Sequence, residues 1–144
     1  MEAFNPEKHA CSLLYVEDDP DAGDLINRAI SLKFRNLRLL TAENGAVGLQ
    51  LYREHRPEIV LTDIKMPVMD GMTMAAGIKA QQPDAVIAVI SAYCDTQQYQ
   101  ANAAEIGIVH CVSKPVDYKA LFATIEKCLS EVKMEGPSPA PRSP

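Results

Sequence analysis

The chain lacks a basic surface. Its 144 residues include 14 Lys or Arg against 19 Asp or Glu, a formal net charge of -5. Binding a phosphate backbone takes clustered Lys and Arg, so direct nucleic-acid binding is not expected. A long apolar stretch is also missing. The longest run, Ala85 to Ile90, falls far short of the ~20 residues of a membrane helix, so no membrane span is expected. The chain does not start with a charged, then apolar, then small-residue signal, and Cys11, Cys94, Cys111 and Cys128 form no Cys-x-x-Cys pair. Both absences point to a reducing cytoplasm. With neither a paired thiol nor an electropositive helix start in evidence, Cys94 and Cys111 read as structural cysteines.

What is present suits one domain. A 47% hydrophobic content can bury a core at this length without help from metals or disulfides. Leu13 to Val16, Ile59 to Leu61 and Ala85 to Ile90 are continuous apolar runs, the pattern of strands covered on both faces. Between the first two, Ala22, Leu25, Ile26, Ala29 and Ile30 recur at helical spacing behind Pro20, which suits a first helical turn. The alternation continues with a strand near 37–41, a helix near 44–55, a strand near 58–62, a helix near 71–81 carrying Met74, Ala75 and Ile78, and a strand at 85–90. A helix near 96–105 should stop at Gly107 before a strand at 108–112, and Asp117 could cap a last helix with Leu121, Ile125 and Cys128 on one face. Strict alternation predicts an α/β fold with a doubly wound, five-stranded parallel sheet. Residues 1–10 read as a loose extension, 11–132 as the domain, and 133–144 as a Pro/Ser-rich flexible tail or linker stub.

Acids stand at two strand ends. Asp63 closes the third strand and opens Asp63-Ile64-Lys65-Met66-Pro67-Val68-Met69-Asp70-Gly71, whose Pro and Gly force a turn; Glu17, Asp18 and Asp19 follow the first strand. In the flavodoxin-like order 2-1-3-4-5 these strands are neighbours at the switch point where open α/β sheets bind ligands. Converging carboxylates repel unless a cation neutralises them, and an oxygen-only set suits Mg²⁺. Taken alone, Glu17 to Asp19 would read as a helix-capping run. Ser91 at the end of the fourth strand and Lys114 at the end of the fifth tip the balance. Together the set describes phosphoryl transfer to a carboxylate, with Asp63 as nucleophile and cations plus a hydroxyl for the remaining oxygens. The easily hydrolysed anhydride suits a reversible switch.

On these residues the chain resembles the response-regulator receiver domain of two-component signalling. The matching segments are Leu14-Tyr15-Val16-Glu17-Asp18-Asp19, Asn44-Gly45, Asp63 to Gly71, Ser91-Ala92 and Lys114-Pro115. They span about Ser12 to Glu131. The resemblance implies that Asp63 is the phosphoacceptor, with Ser91 and Lys114 touching the phosphoryl group. It implies Mg²⁺ (or Mn²⁺) held by Asp18 and Asp63, by Glu17 through water, and by the Lys65 backbone carbonyl. It also implies a cis Lys114-Pro115 bond that aims the ammonium inward, and a tuning role for Lys65 and Tyr93 in phosphate lifetime. The donor would be a sensor histidine kinase or histidine phosphotransfer protein. The output would be a downstream protein or fused domain, with a homodimer through the fourth helix, fifth strand and fifth helix as one form.

One position departs from that pattern. The family usually carries Tyr or Phe three residues before the lysine, and here Cys111 stands there. A thiol cannot fill or vacate the volume of a ring, so the readout is expected to differ. The stretch from Ser91 to Gly107 is about one residue longer than the resemblance predicts. Tyr93 reads as a partly exposed loop residue and His110 as a packed or rim side chain. Two other classes compete. A haloacid-dehalogenase-like phosphatase would need an acid where Lys65 stands, and a nucleotide-binding loop would not begin Glu-Asp-Asp-Pro. A pseudoreceiver that binds partners without phosphorylation is the remaining alternative. It would be favoured if Asp18, Asp63 or Lys114 were missing.

Overall fold

A computed structural model describes residues 11–135, with side chains to 132. The sequence reading for residues 1–10 lies outside them, as does that for the 133–144 tail from 136 onward, while 133–135 continue the last helix. Five strands and five helices alternate: β1 Ser12–Val16, α1 Pro20–Lys33, β2 Arg38–Ala42, α2 Gly45–His55, β3 Ile59–Asp63, α3 Gly71–Gln81, β4 Val86–Ser91, α4 Gln97–Ile106, β5 His110–Ser113 and α5 Tyr118–Glu135. All pairings are parallel, in the order β2-β1-β3-β4-β5. This is the predicted doubly wound, flavodoxin-like sheet.

The continuous apolar runs have the cause inferred for them. Side chains alternate across a strand. In β1, Leu13 and Tyr15 enter a cluster with Ile26 and Ile30 of α1 and Leu121, Ile125 and Cys128 of α5. Leu14 and Val16 enter a second cluster with Tyr52 of α2, Met74 and Ile78 of α3, and Tyr99 of α4. Each face of the sheet thus carries its own core. Of the predicted face of this helix, Ile26 and Ile30 form the buried part, whereas Leu25 is 61% exposed at the edge of the stripe.

Polar caps set the helix starts. Asp19, Asn44, Asp70 and Thr96 each accept a backbone N–H two or three residues on, from Asp21, Val47, Thr73 and Tyr99, satisfying a donor the helix leaves unpaired. Gly107 ends α4 in the left-handed region at φ 100°, which glycine adopts without a Cβ clash. The fifth strand begins two residues later than the apolar pattern suggests. The Ile108 amide is still bonded to the Ala103 carbonyl of α4, so the chain joins the ladder only at His110. Val109, between them, is 77% exposed. The last helix starts directly after Asp117, whose carbonyl accepts the Leu121 amide.

Candidate functional site

The carboxyl ends of β1, β3, β4 and β5 carry Glu17/Asp18, Asp63, Ser91 and Lys114. Parallel pairing of β1 with β3 puts Val16 opposite Thr62, so the residues that follow converge. Glu17, Asp18 and Asp63 each offer a carboxylate oxygen, and these atoms lie within 4.8 Å of one another. Lys114 Nζ donates to both Asp63 oxygens, at 3.0 and 3.1 Å. Asp63 is 7% exposed and its Oδ1 also accepts the Ile64 amide at 2.8 Å. The Lys114-Pro115 peptide is cis, as the resemblance implied.

The acidic run after β1 divides its labour. Asp19 is the helix cap, as the capping reading has it, while Glu17 and Asp18 join Asp63. Burial holds the Glu17 carboxyl above its usual range, and the nearby Asp63 and Asp18 charges add to this; the Asp19 amide and Lys114 oppose it. Tyr15 donates its hydroxyl to Glu17 Oε1 at 3.3 Å. Burial first, then the Glu17 charge, pushes that phenol far above the usual tyrosine range, so it remains a donor. Sequence reasoning missed this positioning residue. The one signal for it was a tyrosine inside an otherwise aliphatic run.

Ser91 is 3% exposed, and its Oγ accepts the Tyr93 amide at 2.9 Å, which leaves the hydroxyl proton free to be donated elsewhere. Lys65 does not join the carboxylates through its side chain. Its Nζ lies over the Tyr93 ring at 5.3 Å, and Tyr93 is 52% exposed, the loop position expected of it. His110 is half-buried, with Nε2 2.8 Å from Glu131 Oε2, a packed side chain as read. Gly71 is required by the loop. Its amide donates to Ile64 O, and a Cβ there would sit inside contact distance of the Asp63 carbonyl oxygen.

The reading of Cys94 and Cys111 as unpaired structural cysteines is overturned: they are bonded to each other. Strand β5 lies beside β4 with Cys111 opposite Val89. The turn leaving β4 brings Cys94 back to it, with the Cα atoms 5.9 Å apart. A separation of 17 residues, spanning a whole helix, carries no short-range motif. Among the described residues, no helix is long and apolar enough to cross a membrane.

An open parallel sheet with a carboxylate crevice at its switch point belongs to the doubly wound α/β class, which binds ligands outside the carboxyl ends of its strands. Within it, the family model described as the response regulator receiver domain matches residues 13–126, and the chain belongs to that family. Curated relatives include the transcriptional regulatory protein GlrR of Escherichia coli, 32% identical over 119 residues, 83% of this chain and 26% of that protein. An uncharacterized response regulatory protein of Vibrio cholerae is 28% identical over 81% of this chain and 44% of its own length. The chain thus spans between a quarter and a half of these relatives. Among solved structures, the N-terminal domain of an uncharacterized protein from Wolinella succinogenes has 31% identity and a TM-score of 0.77, covering 88% of this chain and 99% of that one. A CheY-like receiver domain protein from Methanospirillum hungatei shares the fold at TM-score 0.80 and 21% identity, over 88% and 99% of the two chains. The acidic cluster is typical of phosphoacceptor sites in such domains.

Proposed function

We propose that this domain accepts a phosphoryl group on Asp63 from the phosphohistidine of a sensor kinase or phosphotransfer protein. An Asp63 carboxylate oxygen attacks phosphorus, the P–N bond to the donor imidazole breaks, and the freed imidazole takes up a proton. The observation that carries this reading is the placing of a buried carboxylate against the Lys114 ammonium and two further acids. The ammonium orients both Asp63 oxygens and is placed to follow negative charge onto the transferred group. Ser91 has a hydroxyl proton to donate to a phosphoryl oxygen. Burial on the core side of Asp63 limits attack to the open end of the strand.

The donor set fits a hard divalent cation. It is all oxygen and it concentrates negative charge, and the Glu17 carboxyl is held above its usual range by burial first and by that charge second. Glu17, Asp18, Asp63 and the Lys65 backbone carbonyl would hold Mg²⁺ or Mn²⁺. When bound, the ion supplies neutralisation of the carboxylates and of the incoming phosphoryl oxygens. Output then comes through changed protein contacts on the α4, β5 and α5 face, to a downstream protein, a fused domain or a second copy.

The test is intact mass after incubation with Mg²⁺ and acetyl phosphate or phosphoramidate, beside Asp63→Asn. A metal-dependent phosphoryl adduct that is absent from the variant is the expected result. No adduct from either donor, nor from a competent kinase, would instead identify a binding module that works without phosphorylation.

A further inference from the structure

The bond between Cys94 and Cys111 joins two segments that matter to the site. Cys94 lies three residues after Ser91, in the turn between β4 and α4; Cys111 lies in β5, three residues before Lys114. The covalent loop it closes contains the whole of α4. Both cysteines are partly buried rather than sealed in the core, within reach of a small thiol reagent. The remaining cysteines are elsewhere. Cys11 precedes β1 at the amino end of the sheet, and Cys128 is fully buried in the cluster on the opposite face. The sheet therefore stands between Cys128 and the pair.

The turn is held by contacts that the bond reinforces. Tyr93 O accepts from the Thr96 amide and hydroxyl, and Cys94 O accepts from Gln100 Nε2. Cys94 Sγ lies 3.5 Å from Ser91 O, a contact in the bonded form and a hydrogen bond only once that sulfur carries a proton. Reduction thus exchanges a covalent tie to β5 for a weak tie to β4.

We propose that Cys94 and Cys111 are a reversible dithiol–disulfide site, a redox input that clamps the β4–α4 turn onto β5 when oxidised. The oxidant class is a small-molecule or protein disulfide. The Cys94 thiolate attacks one sulfur of RSSR, forming a mixed disulfide and releasing RS⁻. The Cys111 thiolate then attacks the Cys94 sulfur, closing the ring and releasing a second RS⁻. Two thiol protons and two electrons pass to the reagent as two RSH, and a dithiol reductant reverses the sequence. In a reducing compartment the open form is the resting one, and oxidation closes the clamp. Because the turn begins at Ser91, the clamp also restricts its response to a group on Asp63; this last consequence rests on the phosphorylation reading.

The experiment uses the full chain with all four cysteines. It is equilibrated across reduced-to-oxidised glutathione ratios, trapped by alkylation and mapped by mass spectrometry. The expected result is a reversible Cys94–Cys111 transition while Cys11 and Cys128 stay thiols. Both thiols surviving at every ratio, or a bond that opens only on unfolding, overturns the redox site. Amide hydrogen exchange over residues 92–106, without any phosphodonor, should be slowed about tenfold in the oxidised form, and Cys94→Ser/Cys111→Ser should exchange like the reduced chain in both conditions. Equal exchange in the two forms overturns the clamp. Adding Mg²⁺ and acetyl phosphate then separates the readings. Absence of an adduct on Asp63 defeats phosphorylation and leaves the redox result standing. An adduct with identical exchange responses in both redox forms defeats the restriction alone.

Discussion

Asp18→Asn should make the protein more stable without Mg²⁺ and less responsive to it. Two unit charges 4.8 Å apart repel by about 3.5 kcal/mol at an effective dielectric near 20 and about 0.9 kcal/mol in water. Asp18 is exposed, so the water-like end applies, and it faces both Glu17 and Asp63, partly offset by Lys114. Removing its charge is expected to stabilise the metal-free fold by about 1 kcal/mol. With Mg²⁺ at about 100 times its dissociation constant, the unaltered chain gains about 2.7 kcal/mol, or roughly 10 °C in Tm for a domain of this size. The variant has lost a charged ligand and should keep only part of that gain, so the two melting curves exchange order as Mg²⁺ is added. Thermal unfolding followed by circular dichroism at matched ionic strength measures both. A variant less stable than the parent without Mg²⁺, yet gaining as much from it, would refute the assignment of these carboxylates to one cation site.

Val68 is a β-branched residue at φ 69°, centred in a tight turn closed by the Met69 amide on Pro67 O, and its side chain is 82% exposed. Since the side chain has little packing to lose and the backbone conformation is costly, Val68→Asn should stabilise by about 1 kcal/mol; a lower urea midpoint at unchanged m would contradict this. Burial pushes the Cys128 thiol up to about 12. The unfolded thiol ionises near pH 9 while the folded one stays protonated, so the folded state holds the extra proton. The Cys128 contribution is then fully present below pH 9 and is lost at up to ~1.4 kcal/mol per pH unit as pH rises toward 12. Urea midpoints from pH 8 to 11 should fall, less steeply for Cys128→Val, and equal slopes for the two chains would rule out this linkage.

The sheet was legible because apolar runs, caps and turn residues all act locally. Pro20 suits a first helical turn, and Gly107 stops a helix, wherever they stand in a fold. The site was legible in part for a different reason. Strand order fixes which ends are neighbours, so acids after β1 and β3 must converge once the sheet is parallel and ordered 2-1-3-4-5. Division of the acidic run was legible only through the resemblance, which singled out Glu17 and Asp18; the residues by themselves do not separate Asp19 as cap from Asp18 as site residue, one position apart in the turn. Nor was the cysteine pair. Cys111 stood out as a departure, yet its partner comes from a turn that approaches only after α4 is in place.

Among the described residues, tyrosine and cysteine aside, Thr62, Asp63 and Ser91 are the buried polar side chains, all at the carboxyl ends of β3 and β4. Elsewhere those strands are apolar. A buried polar group is costly unless paired, and each of these has a partner: Thr62 Oγ1 donates to Asp63 O, Asp63 accepts from Lys114, and Ser91 Oγ accepts from Tyr93 N. Two of the three partnerships are local, set within two residues of the group itself. The third, between Asp63 and Lys114, spans 51 residues of sequence and depends on the whole sheet. The site is therefore assembled only in the folded domain, and any change that moves β5 against β3 acts first on the Asp63–Lys114 ion pair.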